Sequence, residues 1–318
     1  MTLTTTSNLT FGIALVLYLA AMVGYFHYLA FRKDRVFRSA RATALTGLGT
    51  HAISVTLRGV AAGRVPWGNL YEYATLVGLL IVAVYLLRVE PQTKVRTVGG
   101  FVLAAAVLAM ATAIVVYVPP GPLVPALNSY WIRIHVVAAM AGSSLFILGT
   151  VFSVLFLVSD ARERRGAGQQ VVERAPVLTA VGAGPSGTGG LPHDYAAGAD
   201  EPASNGADGR TRTQWLPASG VLDRLAYRTI AFAFPIWTFA VIAGAIWAEL
   251  AWGRYWGWDP KEVWSFITWV VFAGYLHARA TVGWRGRRAA VLAIVGFAAL
   301  AFNLYAVNLV ISGLHSYA

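Results

Sequence analysis

The sequence predicts an all-α integral membrane protein with about eight transmembrane helices. Hydrophobic residues make up 57% of the chain and charged residues only 12%, and the mean hydropathy is +0.61, a composition typical of membrane proteins. Apolar runs of about 18 or more residues recur along the chain, each long enough to cross a hydrocarbon core of about 30 Å. We place the eight spans at 9–31, 42–60, 71–88, 98–118, 135–158, 229–250, 263–282 and 289–311.

The distribution of Lys and Arg predicts the orientation of these spans. If both termini are extracytoplasmic, the four inner loops hold most of the 25 basic residues. The outer side then keeps Arg58, Arg64, Arg133, Arg254 and Lys261. Because cytoplasmic loops are enriched in Lys and Arg, we expect both termini and the loop at 247–264 on the extracytoplasmic face. The net charge of +11 follows from this pattern, and basic residues dispersed over short loops do not predict a nucleic-acid partner.

Composition divides the chain into three parts. Residues 1–159 hold the first five spans, and residues 228–318 hold the last three together with the loop at 247–264. The first span lacks a basic n-region and a small-residue cleavage site, so we expect it to be retained. Residues 160–227 are rich in Gly, Ala, Pro and Ser, which predicts a mostly disordered cytoplasmic loop containing a solvated His193. A short amphipathic piece around Leu222–Arg228 is expected to lead into the sixth span.

The chain contains no cysteine. It therefore has no disulfide, no thiolate metal ligand and no thiol nucleophile. Any thiol chemistry must come from a partner, which leaves proteins of a thiol-reducing pathway as one partner class. No other residue pattern indicates a nucleophile with its general base.

The segment 252–264, WGRYWGWDPKEVW, is the most informative part of the chain, and we call 247–264 the Trp-rich loop. The aromatic residues of 252–264 are Trp252, Tyr255, Trp256, Trp258 and Trp264. This density predicts a surface that stacks against a large flat apolar ligand, and the interleaved glycines allow close backbone approach. A planar ligand with two acidic arms, as in haem, suits these rings together with Arg254 and Lys261. An aromatic belt at the membrane interface is the alternative.

Asp259 and Glu262 also have a structural interpretation. Asp at the N-cap, Pro260 at the first helical position and Glu at the third predict a capping box that starts the next helix. The two interpretations are compatible, because a helix N-terminus presents N–H groups suited to a propionate.

Histidines lie at both expected membrane faces. His135 begins the fifth span and His315 follows the eighth, so both fall on the side of the Trp-rich loop. Neutral imidazole is a standard axial haem ligand, and two can hold the iron from opposite faces. Interfacial polar groups are the alternative for both residues.

Three other histidines fall within predicted spans. His277 lies about 25 Å along the helix that starts at Pro260, near the cytoplasmic end, and ionisable residues at such positions are candidate functional groups. His27 has a similar depth on the first span, and His51 lies midway along the second. A packed or snorkelling polar role is the alternative for His27 and His51. A ligand bound at His277 could enter from inside, with a second axial ligand from His27 or from another protein.

Three stretches resemble the CcsA (ResC) family of cytochrome c biogenesis proteins. Residues 252–279, WGRYWGWDPKEVWSFITWVVFAGYLHAR, resemble the family's WWD signature. Residues 308–317, NLVISGLHSY, are similar to its C-terminal ending, and residues 67–73, WGNLYEY, to an outer-loop motif. The resemblance covers most of the chain outside 160–227. The residues after Asp259 look like the CcsA version rather than the related CcmC and CcmF types of the system I pathway.

The resemblance implies a haem-handling subunit of a system II holocytochrome c synthase in the plasma membrane. With a partner of the ResB (Ccs) type, such proteins export haem b and attach it to the Cys-X-X-Cys-His motif of an apocytochrome c outside the membrane. It further implies that His135 and His315 ligate haem at the outer face, beside Trp252, Trp256, Trp258, Asp259 and Trp264. It implies that His277 ligates haem at an inner site, with the second inner ligand supplied by the partner, not by His27.

Rival functions belong to other classes. A haem exporter or carrier would hand haem over without taking part in its attachment. A b-type cytochrome subunit would need paired in-membrane histidines on facing helices, which the sequence pattern lacks. A purely structural membrane protein leaves the Trp-rich loop without a role. We therefore expect a membrane subunit of a cytochrome c haem lyase, which positions haem and does not supply a nucleophile.

Overall fold

The regular structure of the described residues is entirely helical. The computed structural model describes residues 2–123, 127–174, 215–311 and 313, without the side chains of 167–174. The long helices are α1 Leu3–Phe31, α2 Asp34–Ala62, α3 Leu70–Val84, α4 Gly99–Val115, α5 Tyr130–Arg174, α6 Ser219–Trp252, α7 Pro260–Ala280 and α8 Arg287–Ala301. A π-helical turn, Tyr85–Val89, continues α3 into Glu90–Thr93, and a second, Phe302–Ala306, continues α8 into Val307–Leu309.

Each predicted span overlaps one of these helices, which confirms the α-helical membrane class. Six helical segments of the described chain are long and apolar enough to cross a membrane: Leu3–Phe31, Leu70–Thr93, Arg96–Val115, Tyr130–Gly166, Ser219–Trp252 and Arg287–Leu309. Neither α2 nor α7 is among them. The first turns of α2 carry Asp34, Arg35 and Arg38, and α7 has charged residues near both ends. The arrangement of eight spans with both termini outside therefore stays a prediction.

Helix α5 is shared by two hydrophobic cores. The first core packs α1 to α4 against one side of α5, with Tyr18 and Phe152 fully buried. The second packs α6, α7 and α8 against another side, where the rings of Phe146 and Phe272 stack at 3.7 Å. A small third cluster of Leu127, Ile132 and Trp247 lies beside the start of α5 and the end of α6. The two cores therefore meet along α5.

The low-complexity segment expected at 160–227 is helical at both described ends. Helix α5 continues to Arg174, and α6 begins at Ser219. Specific polar contacts order these ends: Glu163 accepts hydrogen bonds from the Ser219 N–H at 2.8 Å and its hydroxyl at 2.6 Å. Arg279 of α7 forms a bidentate pair with Asp223 at 2.7 and 2.9 Å. Composition does not reveal such contacts, which is why the expected loop was too long; residues 175–214, including His193, lie outside the described residues.

Candidate functional site

The Trp-rich loop comprises the end of α6, the connection at residues 253–259 and the start of α7. Helix α6 is capped after Trp252 by Gly253, which has a φ of +69° and donates its N–H to the Glu249 carbonyl at 2.8 Å. The capping box predicted for Asp259 and Glu262 is present at the start of α7. Glu262 Oε2 accepts from the N–H groups of Gly257 at 2.7 Å and Asp259 at 3.1 Å. These bonds fix the backbone of the loop against the helix that follows it.

A partly open cavity of about 170 Å³ lies next to this loop. Its walls come from the start of α3 and the residues before it, from α5, α6 and α7, from the loop between α6 and α7, and from the helical turns that follow α8. Aromatic and apolar side chains dominate the lining, with a few polar groups between them. An apolar lining with a few placed polar groups is typical of ligand-binding sites.

His135 lines the cavity from the first turns of α5. Its Nδ1 lies 2.7 Å from the carbonyl oxygen of Ala240 on α6. A carbonyl can only accept a hydrogen bond, so Nδ1 carries the proton and the lone pair of the neutral ring is on Nε2. The ring fits because residue 244 is glycine: a β-carbon there would lie 2.7 Å from His135 Nδ1. Helix α6 thus sets both the orientation and the tautomer of this imidazole.

Lys261 is the second predicted site residue that lines the cavity. Its ammonium donates a hydrogen bond to Asn308 Oδ1, beyond α8. Burial lowers the pKa of Lys261 to about 8, against the opposing effect of the Asp259 carboxylate. Lys261 precedes the predicted span 263–282, so this cation lies at the end of the bundle that carries the Trp-rich loop.

The four predicted tryptophans do not form one continuous shelf. Trp256 lines the cavity and meets Trp258 edge-on at 6.0 Å. Trp258 itself is 72% exposed and has a φ of +59°. Trp252 packs against the buried Trp247 at 4.7 Å, and Trp264 lies over Phe302 at 4.0 Å. Trp252 and Trp264 therefore contribute to packing around the cavity and not to its wall.

Three other tryptophans line the cavity, and sequence reasoning did not select them. Trp67 precedes α3, whereas Trp237 and Trp247 lie on α6. Trp67 was marked only by its place in the WGNLYEY stretch. Trp237 and Trp247 are ten residues apart on one helix, a spacing that sequence alone does not distinguish from ordinary core packing.

The remaining polar residues of the Trp-rich loop have structural roles. The guanidinium of Arg254 lies directly over Gly257, where a β-carbon would be 1.1 Å from its Nη1. Arg254 is accordingly not among the residues that line the cavity. Asp259 is buried as the N-cap of α7, and a β-carbon on Gly313 would lie 2.7 Å from its Oδ2. Gly313 therefore lies next to the start of α7.

The WGNLYEY stretch folds around a buried carboxylate. Glu72 is 1% exposed and accepts from Arg58 Nε at 3.0 Å, Arg64 Nη1 at 2.9 Å and the Gly68 N–H at 2.7 Å. Asn69 Oδ1 caps α3 by accepting from the Glu72 N–H at 2.9 Å. The WGNLYEY stretch and the Trp-rich loop are thus stabilised in the same way. In each, a glutamate in the first turn of a helix accepts hydrogen bonds from the backbone of the loop before that helix.

Three other described histidines, His27, His51 and His277, do not line the cavity. His277 is exposed near the far end of α7, and His27 is exposed on α1 with its ring 4.5 Å from that of Phe31. His51 is fully buried on α2, and neither of its ring nitrogens has a hydrogen-bond partner among the described residues. His315 lies outside the described residues.

Comparison with known proteins identifies the family. The model of the cytochrome C assembly protein family matches residues 67–315. CcsA cytochrome c biogenesis proteins are similar over nearly the whole chain: that of Porphyra purpurea is 37% identical over 94% of this chain and 93% of its own length. That of Synechococcus elongatus is 39% identical over 82% and 81%, and that of Gloeobacter violaceus 36% over 87% and 88%.

A solved structure shares the fold. The cytochrome c haem lyase CcmF superposes with a TM-score of 0.63 at 17% sequence identity. The match covers 96% of this chain but 47% of that one, so this chain corresponds to about half of CcmF. The family model and the level of identity to curated relatives together show that the chain belongs to the CcsA family of cytochrome c biogenesis proteins.

Proposed function

We propose that this protein carries haem b across the membrane and presents it to apocytochrome c for covalent attachment. It acts as a membrane subunit of a system II holocytochrome c synthase, with a ResB-type partner. One observation carries the proposal: a single aromatic cavity collects His135, Lys261 and Trp256 from three different elements. Membership of the CcsA family supports a role in cytochrome c maturation.

The residues around the cavity fit the chemistry of haem. His135 offers an imidazole of defined tautomer as one axial ligand, and Lys261 offers a cation for one propionate. Gly313 lies beside Asp259, and His315 follows two residues later, within about 7 Å of extended chain. We assign His315 as the second axial ligand of this outer site on that basis. Trp256 would flank the bound macrocycle, with Trp258 exposed beside it.

His277 is proposed as an axial ligand of a second haem site near the inner face. Its exposure on α7 suits a site completed by another chain, because a ligand on the partner can then approach the same iron. Haem would enter at this inner site and move to the outer cavity.

The proposed topology has eight spans, both termini outside and the outer cavity on the extracytoplasmic face of the plasma membrane. Helices α2 and α7 complete the set of eight. Two polar side chains of α2, Ser54 and Arg58, are buried and bond to Ser7 of α1 and Glu72 of α3, so these two groups are compatible with an interior position in the membrane.

The proposed reaction forms two thioether bonds. Each client thiol adds across a haem vinyl group, with sulfur bonding to one carbon and the proton to the other, so no further reactant is consumed. This chain has no cysteine, and its contribution is to hold haem and client in register, which lowers the entropic part of the barrier.

The test is visible spectroscopy on the purified protein with and without its partner, reduced and oxidised. We expect a Soret band with sharp α and β bands from low-spin bis-histidine haem, lost in His135→Ala. A haem-free complex from haem-replete cells would contradict the proposal and favour a protein-docking role for the Trp-rich loop. Adding apocytochrome to the loaded complex separates synthase from exporter, because only a synthase yields acid-stable haem on the client.

A further inference from the structure

The indole N–H of Trp67 has no role in the site as proposed so far. Trp67 lines the cavity, and its Nε1 is buried with no hydrogen-bond partner among the described residues. A buried donor without an acceptor costs free energy, so such a group inside a binding cavity indicates an acceptor on the ligand. The inference that follows rests on the proposed haem-binding function and deepens it.

The buried carboxylate of Glu72 fixes the position of Trp67 through hydrogen bonds to the residues around it. Glu72 accepts hydrogen bonds from Arg64, which precedes Trp67 by three residues, and from the N–H of Gly68, which follows it. Arg64 in turn donates from Nε to the Gly121 carbonyl at 2.9 Å, which ties this loop to the segment after α4. The indole is therefore presented by a braced loop, which reduces the ordering cost of binding.

The ligand atom that meets Trp67 must be an acceptor, and haem offers acceptors at its two propionates. Lys261 can serve one of them, whereas Arg254, the other predicted cation, covers Gly257 and does not line the cavity. A second propionate thus needs a donor from elsewhere in the lining.

Asn303, another polar residue of the cavity lining, cannot donate a hydrogen bond to the second propionate in its observed orientation. The hydroxyl of Ser265 donates to the Lys261 carbonyl at 2.5 Å, so it must accept from Asn303 Nδ2 at 3.3 Å. Asn303 therefore presents Oδ1, which is buried without a partner among the described residues. Oδ1 is an acceptor and does not pair with a carboxylate.

We propose that the Trp67 indole N–H donates a hydrogen bond to one haem propionate, so that the WGNLYEY loop is the second carboxylate-binding arm of the cavity beside Lys261. This hydrogen bond gives haem a higher affinity than porphyrins that lack a carboxylate at that position. Glu72 is its positioning residue, since it acts on the ligand only through the loop.

The test measures affinity of the intact complex with its partner for haem and for haem dimethyl ester, which cannot present an anionic acceptor. Trp67→Phe keeps a ring and removes the N–H, and we expect it to lose roughly tenfold in haem affinity beyond any loss for the ester. The matched control is Trp237→Phe: its N–H already donates to the Ser265 carbonyl at 3.4 Å, so both ligands should be affected equally. Lys261→Met should show the same selective loss as Trp67→Phe.

The outcomes separate this inference from the function on which it rests. Equal loss of both ligands in Trp67→Phe, with Lys261→Met selective, would overturn the Trp67 assignment and leave the haem site intact. Failure of the wild-type complex to bind haem would overturn the proposed function itself. A measurement without variants uses the two isomeric haems that lack one propionate. Both should bind the wild-type complex more weakly than haem, and full affinity of either isomer would contradict the second arm.

Discussion

Nδ1 of His135 on α5 lies 2.7 Å from the carbonyl oxygen of Ala240 on α6. This bond joins the two helices whose mutual packing closes one side of the cavity. It also orients the imidazole before any ligand arrives, in the way that outer hydrogen bonds orient metal-ligating histidines in general. The fit depends on Gly244, one turn further along α6, because any side chain there would contact the ring.

Gly244→Ala should therefore impair haem binding by displacing the His135 ring. The added methyl displaces His135 and lengthens its bond to Ala240, and loss of such an orienting bond typically costs about 10- to 100-fold in metal affinity. The measurement is haem titration followed at the Soret band. Gly49→Ala is the matched control, because a β-carbon at Gly49 meets nothing within 4 Å. Equal affinities in the two variants would show that His135 tolerates displacement.

His135→Ala and His315→Ala should each abolish cytochrome c maturation, and added imidazole should partly restore it. Free imidazole can occupy the position vacated by the side chain, because ligation needs only the ring nitrogen. Maturation is measured as acid-stable haem on a co-expressed cytochrome. Full maturation in either untreated variant would remove that histidine from the outer site.

The sequence predicted the helices well because hydropathy and capping are local properties. The cap formed by Asp259 and Glu262, for example, depends on residues three positions apart. The cavity wall was predicted only in part, because it depends on packing between distant segments. Trp67 and Trp247 reach one cavity from the loop before α3 and from α6, whereas Trp264, inside the recognised motif, turns towards Phe302. No local pattern encodes which side of a loop or helix will face its neighbours.

Trp258→Asn should leave the fold stable and reduce maturation. Trp258 is 72% exposed with a φ of +59°, a conformation in which Asn is more favourable than a bulky residue. The thermal midpoint should stay unchanged or rise, because Asn adopts this backbone conformation more easily than Trp. Acid-stable haem on the client should fall, because an exposed indole kept at a conformational cost indicates a functional role. Tyr130→Asn, which removes another exposed aromatic residue near the start of α5, should leave maturation unchanged. Equal maturation in both variants would restrict Trp258 to an interfacial role.

Glu72→Gln should destabilise the protein strongly. The change leaves the buried Arg58 and the partly buried Arg64 without their counter-charge, and breaking a buried pair typically costs about 3–5 kcal/mol. Denaturant unfolding in detergent measures this loss. Asp34→Asn is the control, because its ion pair with Arg96 at 3.4 Å is largely exposed and such pairs contribute about 0–1 kcal/mol. Similar losses for the two variants would contradict the structural importance of the Glu72 cluster.

Lys261 should make both stability and haem affinity depend on pH in the alkaline range. Burial lowers its pKa in the folded protein from 10.5 to about 8, so between these values the unfolded chain binds more protons than the folded one. Stability therefore rises with pH across this window and is lowest, for this residue, below pH 8. Haem affinity should change in the opposite direction, because the ammonium that attracts a propionate is lost as pH rises through about 8. Lys261→Met should remove both dependences, as measured by unfolding and by Soret titration from pH 7 to 10. If the variant keeps the wild-type pH profile of haem affinity, the propionate partner is not Lys261.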